Sequence, residues 1–212
     1  MTFGFIGSGH IGQAVAECAI RLGYDVVMSN SRSPDTLKAV VAKLGPKAKA
    51  AWNKDVAKQS DVIVVCPPLF ALSKLPTAGT EGKIIIDTMN YYPSRDGNIK
   101  ELDEKRTTTS EMTQKHFPKA YVVKAFNCIP AFAIPTDNYP AGDPDRRALP
   151  IAGDDAKAKA FVKEFMDKIG FDVLDAGPLK EGFRFENGTP AYVRRVGLKE
   201  LEKLVESLPE RA

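Results

Sequence analysis

Three cysteines, two histidines, one tryptophan and almost no surplus of charge mark the 212-residue chain as much by scarcity as by content. Cys18, Cys66 and Cys128 lie far apart without a CxxC pair, which argues against a disulfide framework and a zinc site. A reducing, cytoplasmic setting is the expectation that follows. With only His10 and His116, and no HExxH-like spacing, a catalytic metal is not expected either. A net charge of +3 is too small to point to nucleic acid or an acidic membrane surface. The longest purely aliphatic run, Ile84-Ile85-Ile86, is far too short for a bilayer, and Met1 runs almost at once into a glycine-rich turn, so neither an anchor nor a secretion signal is expected. No repeat or low-complexity segment is present. What remains, 43% hydrophobic and 27% charged residues, is ordinary globular composition, with length enough for one domain or a little more.

The chain is organised around its first dozen residues. A short apolar run ends in Gly7-Ser8-Gly9-His10-Ile11-Gly12 and passes into an amphipathic helix expected over Gln13 to Leu22. G-x-G-x-x-G is weak evidence alone; between a strand and a helix it carries a mechanism. The first glycine makes the tight turn, the second lets a pyrophosphate approach the backbone, and the third lets the helix pack closely. The helix N-terminus then offers free N–H groups to the phosphates. The second strand, Tyr24 to Ser29, ends in Asn30-Ser31-Arg32 where an NAD-preferring site usually carries a carboxylate for the ribose 2′-hydroxyl. Hydroxyls, an amide and Arg32 would instead receive a 2′-phosphate, so NADP is the expected cofactor. The competing reading is a loop that caps the next helix, with Ser33 as N-cap and Pro34 at its first position, and both can hold.

The rest of the chain alternates strands and helices. A helix is expected over Pro34 to Leu44, a weak strand over Ala48 to Trp52, a short helix over Asp55 to Gln59 and a buried strand over Asp61 to Cys66, halted by Pro67-Pro68. Further strands read as Lys83 to Asn90 and Tyr121 to Asn127. Between them lies a polar stretch, Gly97 to Thr109, and a helix opening at Ser110 and ending before Pro118. Strand ends thus deliver Cys66, Pro67, Leu69, Asn127 and Ile129 to one crevice. Cys66 could be a reactive thiol, although a small buried hydrophobe is the commoner role. Pro135 to Pro150 reads as a linker. A strand at Leu149 to Gly153, a helix from Ala156 to Ile169 capped by Asp154 or Asp155, and a strand from Phe171 to Ala176 then extend the sheet. After an irregular stretch from Gly177 to Pro190, a helix from Tyr192 to Leu208 carries Val196, Leu201, Leu204, Val205 and Leu208 at helical spacing, to dock on the same subunit or on another. The expected fold is α/β, Rossmann-type and doubly wound, on a mainly parallel sheet with a small C-terminal extension. Residues 1–134 would form the NADP-binding domain, and 149–212 the extension that completes the acceptor pocket.

The glycine loop, Ser31-Arg32, Ala125 to Ala131, Ala152-Gly153-Asp154-Asp155 and Asp175 to Leu179, in that order, resemble the NADP oxidoreductases that use the deazaflavin coenzyme F(420). The resemblance implies NADPH along the glycine loop, a tricyclic redox partner stacked on the nicotinamide, and homodimers. By position, Gly7, Ser8, Gly9, His10 and Ile11 would hold the pyrophosphate, with Gly12 packing the helix behind them, and Ser31 with Arg32 the 2′-phosphate, beside the Asn30 amide that the residues themselves suggest. Pro67 and Leu69 would border the nicotinamide ribose, with Asn127 and Ile129 nearer the ring; from its strand end Cys66 would flank the nicotinamide side. Asn127 stands where archaeal members often carry His, and Gly9-His10 departs from their loop. The acceptor pocket would draw on Asn187 and Thr189, with the archaeal arginine falling on Phe183 or, one residue on, Arg184. Hydride transfer between stacked rings needs proximity above all, which suits a sequence with no recognisable acid/base constellation. Asn127 would orient a carboxamide or polarise a ring carbonyl, or only close a turn. The alternatives are an NADPH-dependent imine or carbonyl reductase, whose usual long helical domain the stretch after Pro150 is too short to supply, and a non-catalytic NADPH-binding sensor.

Overall fold

The computed structural model describes residues 1–209; the last three residues of the expected C-terminal extension lie outside the described residues. Among the described residues eight strands form one sheet: β1 (Thr2–Ile6), β2 (Asp25–Ser29), β3 (Ala48–Ala50), β4 (Val62–Val65), β5 (Ile84–Asp87), β6 (Tyr121–Lys124), β7 (Ala148–Gly153) and β8 (Asp172–Asp175). Their order is β3-β2-β1-β4-β5-β6-β7-β8, so the winding reverses between β1 and β4. All pairings are parallel except that of β6 with β7. The aliphatic runs account for the centre: β4 and residues Ile85 and Ile86 of β5 are buried because helices cover both faces of a parallel sheet.

The helices are α1 (His10–Arg21), α2 (Lys38–Leu44), α3 (Asn53–Val56), α4 (Pro93–Asp96), α5 (Lys100–Asp103), α6 (Thr109–His116), α7 (Ala156–Ile169) and α8 (Leu198–Glu206). Two cores lie either side of the sheet. One gathers Phe3, Phe5, Val15, Phe126, Phe165 and Phe171, the other Ile63, Leu69, Ile85, Phe117 and Val122. α7 matches expectation, capped by Asp155, which accepts from the Ala158 N–H at 2.7 Å, and stopped by Gly170 at φ 122°. Asp155→Ala should cost about 1 kcal/mol, read as a fall in Tm of about 2–4 °C.

Three expectations need correction. The helix expected over Pro34 to Leu44 divides into a 3-10 turn at Pro34–Leu37, capped as foreseen by Ser33, and α2. The Pro135 to Pro150 stretch is not a free linker: β7 begins inside it, and Arg146 is buried against Asp167 at 2.5 Å and Asp172 at 3.0 Å, with Arg147 paired to Asp137 at 3.2 Å. The terminal helix starts at Leu198, not Tyr192. Val193 adopts φ 53°, which a right-handed helix cannot contain, and the Val196 carbonyl is taken by the Ala148 N–H. Its apolar stripe docks on this chain, with Leu201 and Val205 buried beside β7 and β8.

Candidate functional site

The glycine loop stands at the carboxyl end of β1, where the sheet order reverses. Gly7 turns the chain at φ 114°, and its N–H donates to the Ser29 carbonyl at 3.1 Å, which sets the end of β2 beside the loop. A side chain on Gly12 would strike the Gly7 carbonyl at 2.6 Å and Cys66 Sγ at 2.7 Å, so this glycine seats α1 directly on the loop. Gly9 differs: a Cβ there would meet no protein atom within 4 Å. Nothing in the chain itself demands glycine at that position, whereas a ligand pressed against the backbone would. Whereas α6 carries a full capping box from Thr108 and Glu111, and α7 its Asp155, α1 has no side-chain cap and no acid in its first turn. Its first N–H groups and the positive end of its dipole suit an anion. These features fit a pyrophosphate. His10 lines a separate cleft of about 410 Å³ with Phe132.

The segment after β2 is partly committed. Ser29 is buried, its hydroxyl within reach of the Phe5 carbonyl at 2.7 Å and Asn53 Oδ1 at 2.6 Å, and is spent inside the fold. Asn30 braces its own loop, accepting from the Arg32 N–H at 2.8 Å and donating to Thr36 at 3.0 Å. Ser31 and Arg32 are exposed, and Arg32 makes no ion pair among the described residues. The amide expected to donate outward instead holds the turn that presents the arginine.

Beside the loop opens a cleft of about 470 Å³ that gathers Gly9 and Ile11, Cys66 and Pro67 beyond β4, Thr88 to Asn90 beyond β5, and Asn127 and Ile129 beyond β6. Asn127 is 4% exposed; its amide nitrogen donates to the Phe185 carbonyl at 3.0 Å and to Asn90 Oδ1 at 3.2 Å, while its own Oδ1 has no partner among the described residues. A buried, unpaired amide oxygen in such a place fits a ligand N–H such as a carboxamide. Burial pushes the Cys66 thiol up to about 12, and its Sγ donates to the Gly7 carbonyl at 3.1 Å, so the reactive-thiol reading is dropped. Leu69 is also corrected: it is 2% exposed in the core under β4, and Pro68 lines the cleft in its place.

The expected acceptor residues do not gather at this cleft. Phe183 is buried and borders a small recess with Lys105 and Thr108. Arg184 pairs with Glu181 at 2.6 Å and donates to the Val205 and Leu208 carbonyls, on the face of the sheet edge covered by α8. Thr189 donates to the Glu186 carbonyl at 2.8 Å, and Asn187 is exposed. In their place stand Asn90, Tyr92, Arg95 and Tyr192. The Tyr91-Tyr92-Pro93 run, a few residues beyond β5, could have signalled one of them. Tyr192 was hidden by its assignment to a helix.

A doubly wound sheet with an uncapped, glycine-turned helix at its switch point defines a dinucleotide-binding Rossmann protein. Residues 2–91 match the family model described as NADP oxidoreductase, coenzyme F(420)-dependent, so this part of the chain is similar to that family. It is 31% identical to metalloreductase STEAP3 of Rattus norvegicus over 179 residues, 83% of this chain and 34% of that one. It is 25% identical over 193 residues to metalloreductase STEAP2 of Homo sapiens, covering 88% of this chain and 35% of that one. The chain thus spans about a third of the length of these curated relatives. Among solved structures, a hypothetical protein of Sinorhizobium meliloti aligns at TM-score 0.76 and 28% identity over 93% of this chain and 94% of the other. An Arthrobacter sp. protein provisionally assigned as an F(420)-dependent NADP-reductase aligns at 0.75 and 24%, over 86% and 87%, a likeness of fold. Among the described residues no helix is long and apolar enough to cross a membrane, and no group of three or more His, Cys, Asp or Glu could hold a metal.

Proposed function

We propose that the chain binds NADPH along the glycine loop and passes its hydride to a flavin or deazaflavin ring lodged in the cleft beside it. The observation that carries the reading is the junction of the two: Gly9 and Ile11 of the loop line the same cleft as the unpaired Asn127 amide. Bound there, NADPH supplies the hydride. The chain's own residues fix where it is delivered: α1 receives the pyrophosphate, Asn127 Oδ1 takes the carboxamide N–H, and Pro67, Pro68 and Ile129 wall the ring from water. In this reading residues 1–134 hold NADP, and 149–212 complete the acceptor side through Tyr192 and Val193. A reducing cytoplasm, which suits the three free cysteines, and a homodimer belong to the same proposal.

The relatives' name supports a choice between the two rings. Nicotinamide gives up two electrons at once and a metal ion takes one at a time, so a metalloreductase needs an intermediate ring that accepts a pair and releases singles. A flavin does this readily and a 5-deazaflavin poorly, so the flavin is favoured if this chain shares that chemistry. Anaerobic titration with NADPH and each ring in turn tests the reading: oxidation of NADPH by either ring supports it, and tight NADPH binding with oxidation by neither favours the sensor alternative. Arg32→Ala should weaken NADPH by about tenfold to a hundredfold, the range of one or two charge-assisted bonds, and leave NADH nearly unchanged. Equal losses in calorimetric titrations of both would remove the 2′-phosphate assignment.

A further inference from the structure

Two tyrosines 100 positions apart in the chain meet at the cleft. Tyr92 follows β5 and Tyr192 precedes α8; their hydroxyls share a short hydrogen bond, and both residues line the cleft that holds Asn127 and Ile129. Two phenols bonded this way carry two protons and use one between them, which leaves one O–H to give. The backbone is strained to hold the arrangement. Val193 sits at φ 53°, unfavourable for a β-branched residue, and is pinned by its N–H to the Cys128 carbonyl at 3.0 Å. Across the cleft Phe126 is held at φ 58°. Two of the three non-glycine residues at positive φ among the described residues therefore border this one cleft.

The titratable groups facing Tyr192 are Tyr92, Cys128 and Arg95. Burial and the Tyr92 bond push the Tyr192 hydroxyl above its ordinary range, against a smaller opposing pull from Arg95, so it keeps its proton at neutral pH. Burial likewise pushes Cys128 up to about 12, so it is no competing charge. The Arg95 guanidinium lies 4.8 Å from the Tyr92 ring centroid, but it is paired with Asp96 at 2.8 and 3.0 Å, and Asp96 Oδ2 accepts from the Tyr92 N–H at 2.9 Å, so the pair brings little net charge to that phenol.

We infer that Tyr192, relayed by Tyr92, is the catalytic acid of the cleft, and that the acceptor is one that takes a proton with the hydride, at a ring nitrogen or a carbonyl or imine heteroatom. The inference rests on the hydride-transfer reading. The C4–H bond of NADPH breaks with its electron pair, which forms a new bond to the acceptor; NADPH becomes NADP⁺ and the acceptor is reduced by two electrons. The negative charge that develops on the acceptor heteroatom is quenched by the Tyr192 proton: the phenolic O–H breaks and an N–H or O–H forms. The phenolate recovers a proton from Tyr92 through the shared bond, and Tyr92 from water at the cleft mouth.

The test uses the full chain with NADPH and, separately, FMN, a deazaflavin and a small cyclic imine, measured across pH beside the NADPH dissociation constant. Tyr192→Phe should lower kcat about 10²- to 10³-fold, keep NADPH affinity within about threefold, and abolish the alkaline limb on which the wild type loses rate as the tyrosine pair deprotonates. Tyr92→Phe should slow the reaction less and shift that limb; if Tyr192→Phe does not fold, this variant carries the test through the same limb. A wild type that turns over while the phenylalanine variants keep its rate and pH profile overturns the acid assignment and leaves the hydride reading standing. A wild type that binds NADPH and oxidises it with none of the acceptors overturns both.

Discussion

Gly12→Ala should raise the NADPH dissociation constant by about 30- to 150-fold, the equivalent of about 2–3 kcal/mol, in a protein that still folds. The added methyl would stand 2.6 Å from the Gly7 carbonyl and 2.7 Å from Cys66 Sγ. The sulfur can rotate away, at the cost of its bond to that carbonyl. The carbonyl is backbone and cannot, so α1 and the glycine turn must separate by several tenths of an ångström. That separation falls on the uncapped first turn, whose N–H groups have to converge on one anion. A matching change at Gly23, which unlike Gly12 is at positive φ and has no neighbour within 4 Å of a Cβ, costs only local backbone strain and should leave binding unaffected. Calorimetric titration of both variants, with circular dichroism to verify folding, separates a damaged cradle from a damaged protein. Wild-type affinity in a folded Gly12→Ala protein would show that the phosphates do not bind at this loop.

Glu186→Ala should lower stability by about 3–5 kcal/mol, or about 10 °C in Tm at about 2–4 °C per kcal/mol, the largest single-residue effect expected away from the aliphatic core. Lys124 is completely buried at the end of β6, its Nζ 3.3 Å from Glu186 Oε1, 2.6 Å from Thr109 Oγ1 and 3.2 Å from the Met89 carbonyl. Glu186 in turn accepts from the Thr109 N–H at 3.1 Å and its hydroxyl at 2.7 Å. Burial alone would raise the Glu186 carboxyl, but the Lys124 charge and the Thr109 bonds outweigh it and hold it below the ordinary carboxylate range. A carboxyl depressed in the folded state stabilises fully above its unfolded pKa of about 4.3, and loses that contribution as pH falls through the folded value. The wild type should therefore lose part of its stability on acidification below about pH 4, a loss that Glu186→Gln should not share. Because the cost of Glu186→Ala is mainly an unpaired buried ammonium, Lys124→Met in the same chain should recover much of it. An unchanged Tm in Glu186→Ala, followed by thermal unfolding at pH 7, would mean that Lys124 finds water.

The two effects mark what could be read in the sequence and what could not. Strands β4 and β5 announced themselves as aliphatic runs because both their faces are covered. The glycine loop did so because a tight strand-to-helix turn constrains residues close together in sequence, and α7 because Asp155 and Gly170 signal its ends locally. The Lys124–Glu186 pair and the Tyr92–Tyr192 pair join positions far apart in the chain, and no local signal foretells either. The apolar spacing from Val196 onward is helical, yet the helix begins only at Leu198, because tertiary bonds from Cys128 and Ala148 claim the preceding backbone. Leu69 was misplaced for a similar reason: a 3-10 turn at Leu69–Lys74 rotates it into the core and leaves Pro68 at the cleft. Local chemistry set the glycine-loop side of the cleft; long-range packing set the other side, where Tyr92 and Tyr192 stand and the expected Phe183, Arg184, Asn187 and Thr189 do not.

The most direct measurement is anaerobic rapid mixing of the protein with FMN or a deazaflavin and either NADPH or NADPH deuterated at C4, followed by absorbance of the nicotinamide and of the ring. Hydride transfer in the cleft predicts that the two absorbances change together in a single step, slower with the deuterated cofactor, for at least one ring. Stoichiometric NADPH binding with no bleaching of either ring, or a step indifferent to deuterium at C4, would contradict it.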